Sequence, residues 1–166
     1  MGVAGCGKSS LAAAIASQTG LPLIEGDEFH SAASIAKMRA GIPLTDADRA
    51  PWLDQLSAEL MRHGGGGVLA CSALKQTYRD RLRAAVPDLK FVFLDIDRNT
   101  ALERVLARMD HHQFPASLVD SQFAALERPT GERGVLTLRA TDDITVLCGE
   151  VLAWMTAPAF DHLGHR

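Results

Sequence analysis

A chain of 166 residues, 47% hydrophobic and 22% charged, has the make-up of one globular domain with a substantial core. Its net charge of -3 argues against a nucleic-acid module, which carries a basic face. No apolar run reaches membrane-spanning length, no signal-peptide pattern opens the chain, and Cys6, Cys71 and Cys148 are scattered as in a reducing compartment, so a cytoplasmic protein is expected.

The first ten residues carry the strongest local signal. Gly2, Gly7, Lys8 and Ser9 match the phosphate-binding loop G-x-x-x-x-G-K-S/T at every fixed position. Glycines let the backbone curl until successive N–H groups face phosphate oxygens, and the next helix adds its positive N-terminus. Gly2, Val3, Ala4, Gly5, Cys6, Gly7, Lys8, Ser9 and Ser10 are therefore the candidate nucleotide contacts. Lys8 would reach the β- and γ-phosphates, and the Ser9 hydroxyl would ligate Mg²⁺. Such a loop normally follows a buried strand, and almost nothing precedes Gly2. Losing a central strand leaves neighbouring backbone groups unpaired and a slot unfilled, so the true translation start is expected upstream of Met1.

The pattern predicts a helix from Gly7 to about Thr19, stopped by Gly20, and a short buried strand at Pro22–Ile24 that ends at Glu25-Gly26-Asp27. A helix over Ser31–Ala40 is broken by Gly41-Ile42-Pro43. Thr45–Asp48 opens a new turn, and Pro51 suits the first position of the next helix, whose apolar stripe is Leu53, Leu56 and Leu60. A strand at Val68–Cys71 follows the glycine run, then a helix over Ala73–Ala85. Phe91–Leu94 is the clearest strand. Thr100–Glu103 reads as a capping box opening a helix to about Met109. A helix over about Pro115–Glu127, a strand at Val135–Leu138 and a helix over about Asp142–Met155 complete the chain.

Strands alternating with helices imply a parallel sheet covered on both faces, with ligands at the strands' carboxyl ends. Asp27 sits at such an end. It is either a turn or cap aspartate, or a group that takes a proton from a substrate hydroxyl or binds Mg²⁺ through water, and His30 beside it is an even choice between structural and functional roles. Arg49 lies in a capped helix–loop–helix, where a planar guanidinium would also suit a carboxylate. Lys75 and Arg79 are spaced i, i+4 and form either a solvated basic face or an anion site. Arg104 and Arg108 share that spacing, with His111 and His112 following. They form an exposed helix face or a lid that brings arginines over a phosphoryl group.

Together these blocks resemble the gluconokinase family of small P-loop kinases. The match is M-G-V-x-G-x-G-K-S at the start, G-D-x-x-H at Gly26–His30, and K-M-x-x-G-x-P-L-x-D-x-D-R-x-P-W-L at Lys37–Leu53. It continues with C-S-A-L-K and Y-R-D at Cys71–Asp80, R-x-x-x-R at Arg104–Arg108, and S-Q-F-x-x-L-E at Ser121–Glu127. The resemblance implies a single α/β domain over residues 1–166 with the adenylate/shikimate-kinase-like three-layer P-loop fold, a lid at about 104–127, ATP with Mg²⁺ as donor, D-gluconate as acceptor, and a homodimer. It implies Asp27 as the base, His30 as a hydroxyl contact, and Arg49, Lys75 and Arg79 as anchors of the anionic substrate. It implies Arg104 on the nucleotide and Arg108 on the transferring phosphoryl group. The chain departs from the family pattern in Ser34, in one extra residue within Asp110–Pro115, and in the absent first strand. The alternatives are another small-molecule kinase of the shikimate-kinase type and an inactive nucleotide-binding protein lacking its first strand.

Overall fold

A computed structural model describes residues 1–107, 115 and 117–157. Four short strands alternate with seven helices among them: α1 (Lys8–Thr19), β1 (Leu23–Glu25), α2 (Ala32–Arg39), α3 (Asp46–Arg62), β2 (Val68–Ala70), α4 (Gln76–Ala85), β3 (Phe91–Asp95), α5 (Arg98–Leu106), α6 (Ser117–Ala125), β4 (Val135–Arg139) and α7 (Ile144–Thr156). A 3-10 turn, Gly26–Phe29, follows β1 directly.

Both strand pairs are parallel. β1 runs beside β2 with Ile24 opposite Leu69, and β3 beside β4 with Phe93 opposite Thr137. Side chains alternate along each strand, so β3 sends Phe91 into one core cluster and Leu94 into another. The first cluster is completed by Trp52, Leu56 and Leu82 from α3 and α4. The second takes Leu11, Ile15 and Val151 from α1 and α7. The strands thus lie between two helical layers, the three-layer order expected from the alternating pattern.

The layer of strands is split. The two pairs are separate sheets, and the start of the chain bridges them. The Met1 ammonium donates to the Val92 carbonyl at 2.6 Å, and the Leu94 N–H donates to the Met1 carbonyl at 3.0 Å. The Gly2 N–H reaches the Ser72 carbonyl just beyond β2 at 3.1 Å. Met1 and Gly2 therefore make ladder bonds in both directions, as the last residues of a strand between β2 and β3 would. Behind Met1 lies a cavity of about 650 Å³, lined by Ile15, Leu69, Leu82, Phe91, Val92 and Val151 among others. Burial pushes the Met1 ammonium towards its neutral form.

Three boundaries differ from the sequence reading for local reasons. α3 begins at Asp46, not at Pro51, because Thr45 and Asp48 form a complete capping box, and Pro51 falls inside the helix. α4 begins at Gln76, because Ala73 takes a left-handed φ of 41° and holds the chain out of helix until Lys75. α5 begins at Arg98, because Asp97 accepts the Thr100 N–H and so caps the helix ahead of Thr100.

Candidate active site

The phosphate loop joins Met1–Gly2 to α1. Gly5 and Gly7 adopt φ of 80° and 94°, which L side chains avoid. A Cβ on Gly5 would lie 2.6 Å from the Ala101 carbonyl of α5, so the loop is pressed against that helix. Val3 and Cys6 are buried and anchor the loop, while Ser9 and Ser10 are exposed at the start of α1. Lys8 folds over the loop and donates to the Val3 carbonyl at 3.0 Å, which places its ammonium above the curl. Ser9 donates to the Glu25 carboxylate at 3.0 Å. Glu25, at the end of β1, is a residue the sequence reading passed over. With Ser9 it offers the oxygen ligands that Mg²⁺ takes, so these residues fit a magnesium nucleotide. Among the described residues, no three His, Cys, Asp or Glu side chains cluster closely enough to hold a metal by themselves.

Asp27 and His30 follow on the 3-10 turn. The Asp27 carboxylate is exposed and has no hydrogen-bond partner among the described residues. His30 is buried, its ring stacked on Trp52 at 4.7 Å between centroids and 8° between planes. Desolvation lowers the His30 pKa, the nearby Asp27 carboxylate partly opposes this, and Arg49 reinforces it. Asp27 and His30 share one 3-10 turn, and Arg49 stands three residues before Trp52 on the helix that carries the stack.

A second cavity of about 350 Å³ has a lining that includes Asp46, Arg49, Lys75, Tyr78, Ser121 and Gln122, with Asp27 and His30 outside that lining. It is smaller than the slot behind Met1, yet it is the one with convergent charge and polar groups. Lys75 donates to both Asp46 carboxylate oxygens, at 2.7 and 2.9 Å, and the Tyr78 hydroxyl donates to Asp46 as well. Hydrogen bonds from Lys75 and then Tyr78 hold the Asp46 carboxyl below its ordinary pKa. Arg49 stands 6.0 Å from the Tyr78 ring centroid and makes no salt bridge to a described residue. Arg49 and Lys75 therefore meet at one cavity.

Arg79 is placed differently. It is 1% exposed, and its donors are spent inside the protein. Nε and one terminal nitrogen bind Glu132, and the other terminal nitrogen donates to the Ala73 and Leu74 carbonyls at 3.0 Å each. A further bond reaches the Glu127 carbonyl at 3.1 Å. Arg79 thus holds the left-handed turn at Ala73 from beneath. Its guanidinium does not line the cavity that Arg49 and Lys75 share.

Arg104 donates to the Ala140 carbonyl at 2.9 Å and approaches the Gly5 carbonyl at 3.5 Å, between the phosphate loop and the end of β4. Arg108, His111 and His112 lie outside the described residues. Gln122 of α6 is the second contributor the sequence reading passed over. Its Oε1 accepts the Ala4 N–H of the phosphate loop at 2.6 Å. It stands inside the S-Q-F block, and membership of that block was the available signal.

A sequence profile described as AAA domain matches residues 1–129. The thermosensitive gluconokinase of Escherichia coli is 41% identical over 148 residues, covering 87% of this chain and 79% of that protein. The gluconokinase of Gluconobacter oxydans is also 41% identical, over 92% of this chain and 86% of its own length. Among solved structures, a gluconokinase from Sinorhizobium meliloti superposes with a TM-score of 0.81 at 42% identity, covering 92% of this chain and 87% of that one. APS kinase of Mycobacterium tuberculosis, at 21% identity and a TM-score of 0.67, shares the fold. With a P-loop at its start and relatives of this identity along most of its length, the chain belongs to the gluconokinase family of P-loop kinases.

Proposed function

We propose that this chain transfers the γ-phosphoryl group of ATP to the 6-hydroxyl of D-gluconate. The observation that carries the reading is the 350 Å³ cavity, where Arg49 and Lys75 converge and where Gln122 reaches back to the phosphate loop. A sugar acid needs a cation for its carboxylate and mixed donors and acceptors for its hydroxyls, and this lining supplies both. Phosphoryl transfer demands little of the protein beyond alignment and charge stabilisation. The loop amides and Lys8 would hold the β- and γ-phosphates, and Arg104 would flank the nucleotide. Ser9, with Glu25 behind it, would hold Mg²⁺, which when bound neutralises charge on the phosphate oxygens. Asp27 would accept a hydrogen bond from the 6-hydroxyl, orient it for in-line attack, and take its proton late. His30, neutral because it is buried, would contact a neighbouring hydroxyl. We read the enzyme as a cytoplasmic homodimer. No helix among the described residues is long and apolar enough to cross a membrane.

One competing reading is a protein that binds nucleotide without turning it over. A coupled ADP-release assay with gluconate, shikimate and AMP, run beside an ATP-binding titration, separates the two. Turnover with gluconate alone supports the proposal. ATP binding with no turnover of any acceptor overturns it in favour of the inactive reading.

A further inference from the structure

Trp52 touches both ends of the segment that carries Asp27. It stands in the second turn of α3 and is 2% exposed. Its indole Nε1–H donates to the Gly26 carbonyl at 2.7 Å, a contact spanning 26 residues. Its ring face carries the His30 imidazole, nearly parallel at 4.7 Å. Gly26 opens the 3-10 turn and His30 closes it, so one rigid side chain meets the turn at two points, one on either side of Asp27. The other side of Gly26 is closed too: a Cβ there would lie 2.7 Å from the Ala70 carbonyl and 3.0 Å from the Cys71 Cβ. The turn is therefore clamped between β2 and the indole.

The His30 ring supplies the second observation. Its Nδ1 is buried and has no hydrogen-bond partner among the described residues. A buried polar nitrogen without a partner costs free energy, and such atoms are few in folded proteins. The ring lies nearly flat on Trp52, and in that orientation the nitrogen meets no partner among the described residues.

We infer that Trp52 is a positioning residue for phosphoryl transfer, which fixes the Gly26 carbonyl and the His30 ring so that Asp27 and His30 meet the acceptor alcohol in register. This rests on the reading that Asp27 and His30 face the sugar acid. Misplacing a reacting group by about an ångström is enough to slow a reaction on the order of a hundredfold. The indole bond and the stack hold the turn against such drift.

Two variants and one fluorescence measurement test it. Trp52→Phe keeps an aromatic face for His30 and loses the bond to Gly26, and Trp52→Leu loses both. The expected result is a fall in kcat of about tenfold for Trp52→Phe and a larger fall for Trp52→Leu, with KM for ATP unchanged within about twofold. Thermal melts report whether each variant is folded. A kcat for folded Trp52→Phe equal to that of the parent overturns the role, as does a loss shared equally by kcat and KM for ATP. Asp27→Asn, assayed in parallel, separates this from the reading beneath it: full activity there would remove Asp27 as the base whatever Trp52 does. In the Trp154→Phe protein, whose one remaining tryptophan is Trp52, gluconate added without ATP is expected to change the indole emission. An unchanged emission at saturating gluconate would count against the role even if the Trp52 variants failed to fold.

Discussion

Gln122 on α6 accepts the Ala4 N–H of the phosphate loop at 2.6 Å, so the loop is tied to a helix 118 residues away in sequence. The amide is planar, and with Oε1 committed to Ala4 its NH₂ is the end left for other partners. Gln122 also lines the cavity with Arg49 and Lys75, so it stands between that cavity and the phosphate loop. Gln122→Glu would replace that amide with a carboxylate beside the triphosphate, and KM for ATP is expected to rise about tenfold from charge repulsion alone. Gln122→Ala forfeits one hydrogen bond, worth about 1 kcal/mol, and should lower thermal stability slightly. Steady-state ATP titrations and melts check both. An unchanged KM for ATP in Gln122→Glu would show that the contact does not reach the nucleotide site.

Lys75 should govern affinity for the acceptor. It is held at the cavity by Asp46, and its ammonium would be shared between that carboxylate and the carboxylate of an incoming sugar acid. Lys75→Ala is expected to raise KM for gluconate by roughly tenfold or more, because a charge-assisted contact is lost, while KM for ATP stays near the parent value. Arg49→Ala should behave alike. Initial rates against gluconate at saturating ATP measure the effect.

Arg79 and Glu132 should govern stability. Removing one partner of a buried ion pair strands the other charge and costs about 3–5 kcal/mol, so Arg79→Ala is expected to unfold at markedly lower urea concentration. Arg79→Lys cannot rebuild the fork that holds Ala73, Leu74 and Glu127 together, and should recover only part of the loss. Hydrogen bonds from Arg79 hold the Glu132 carboxyl below its ordinary pKa, against the opposing effect of burial. A carboxyl depressed in the folded state contributes stability above its unfolded value of 4.5. That contribution drains away as pH falls through the lower folded value. Urea titrations at pH 7 and below pH 4 should therefore show a steeper acid loss for the parent than for Glu132→Gln.

The slot behind Met1 should accept added backbone. By the alternation of a parallel ladder, the Val92 N–H faces the slot together with that of Leu94, which already bonds Met1. A chain carrying four β-branched apolar residues ahead of Met1 is expected to melt well above the parent. Each apolar side chain buried contributes about 1.5–3 kcal/mol, and the buried ammonium is replaced by an amide that pairs. Four Gly-Ser residues in the same place should give little gain. Equal melting temperatures for the two extensions would show that the cavity does not take a strand.

Much of the site was legible in the chain because its determinants are local. The curl of Gly2–Ser9 needs only glycines, a lysine and a hydroxyl at fixed spacing, and the Thr45–Asp48 capping box closes within one turn. The alternation of short apolar runs with helical segments was enough for the parallel, three-layer order. Lys75 and Arg79 show where local reading stops. They share one spacing on α4 and its lead-in, and no local rule separates them. Lys75 reaches Asp46 at a cavity rim, while Arg79 meets Glu132, 53 residues on, in the interior. Burial decided their roles, since a guanidinium out of water must spend its donors on protein acceptors. Trp52, Gln122 and Glu25 were passed over for the same reason: their partners Gly26, Ala4 and Ser9 lie 26, 118 and 16 residues away. The sequence alone determined that a phosphate loop opens an α/β kinase domain of the gluconokinase type. Tertiary structure decided which cations face the cavity and which brace the turn beneath it, because packing brings distant residues together and removes the water that would otherwise leave every charged side chain equivalent.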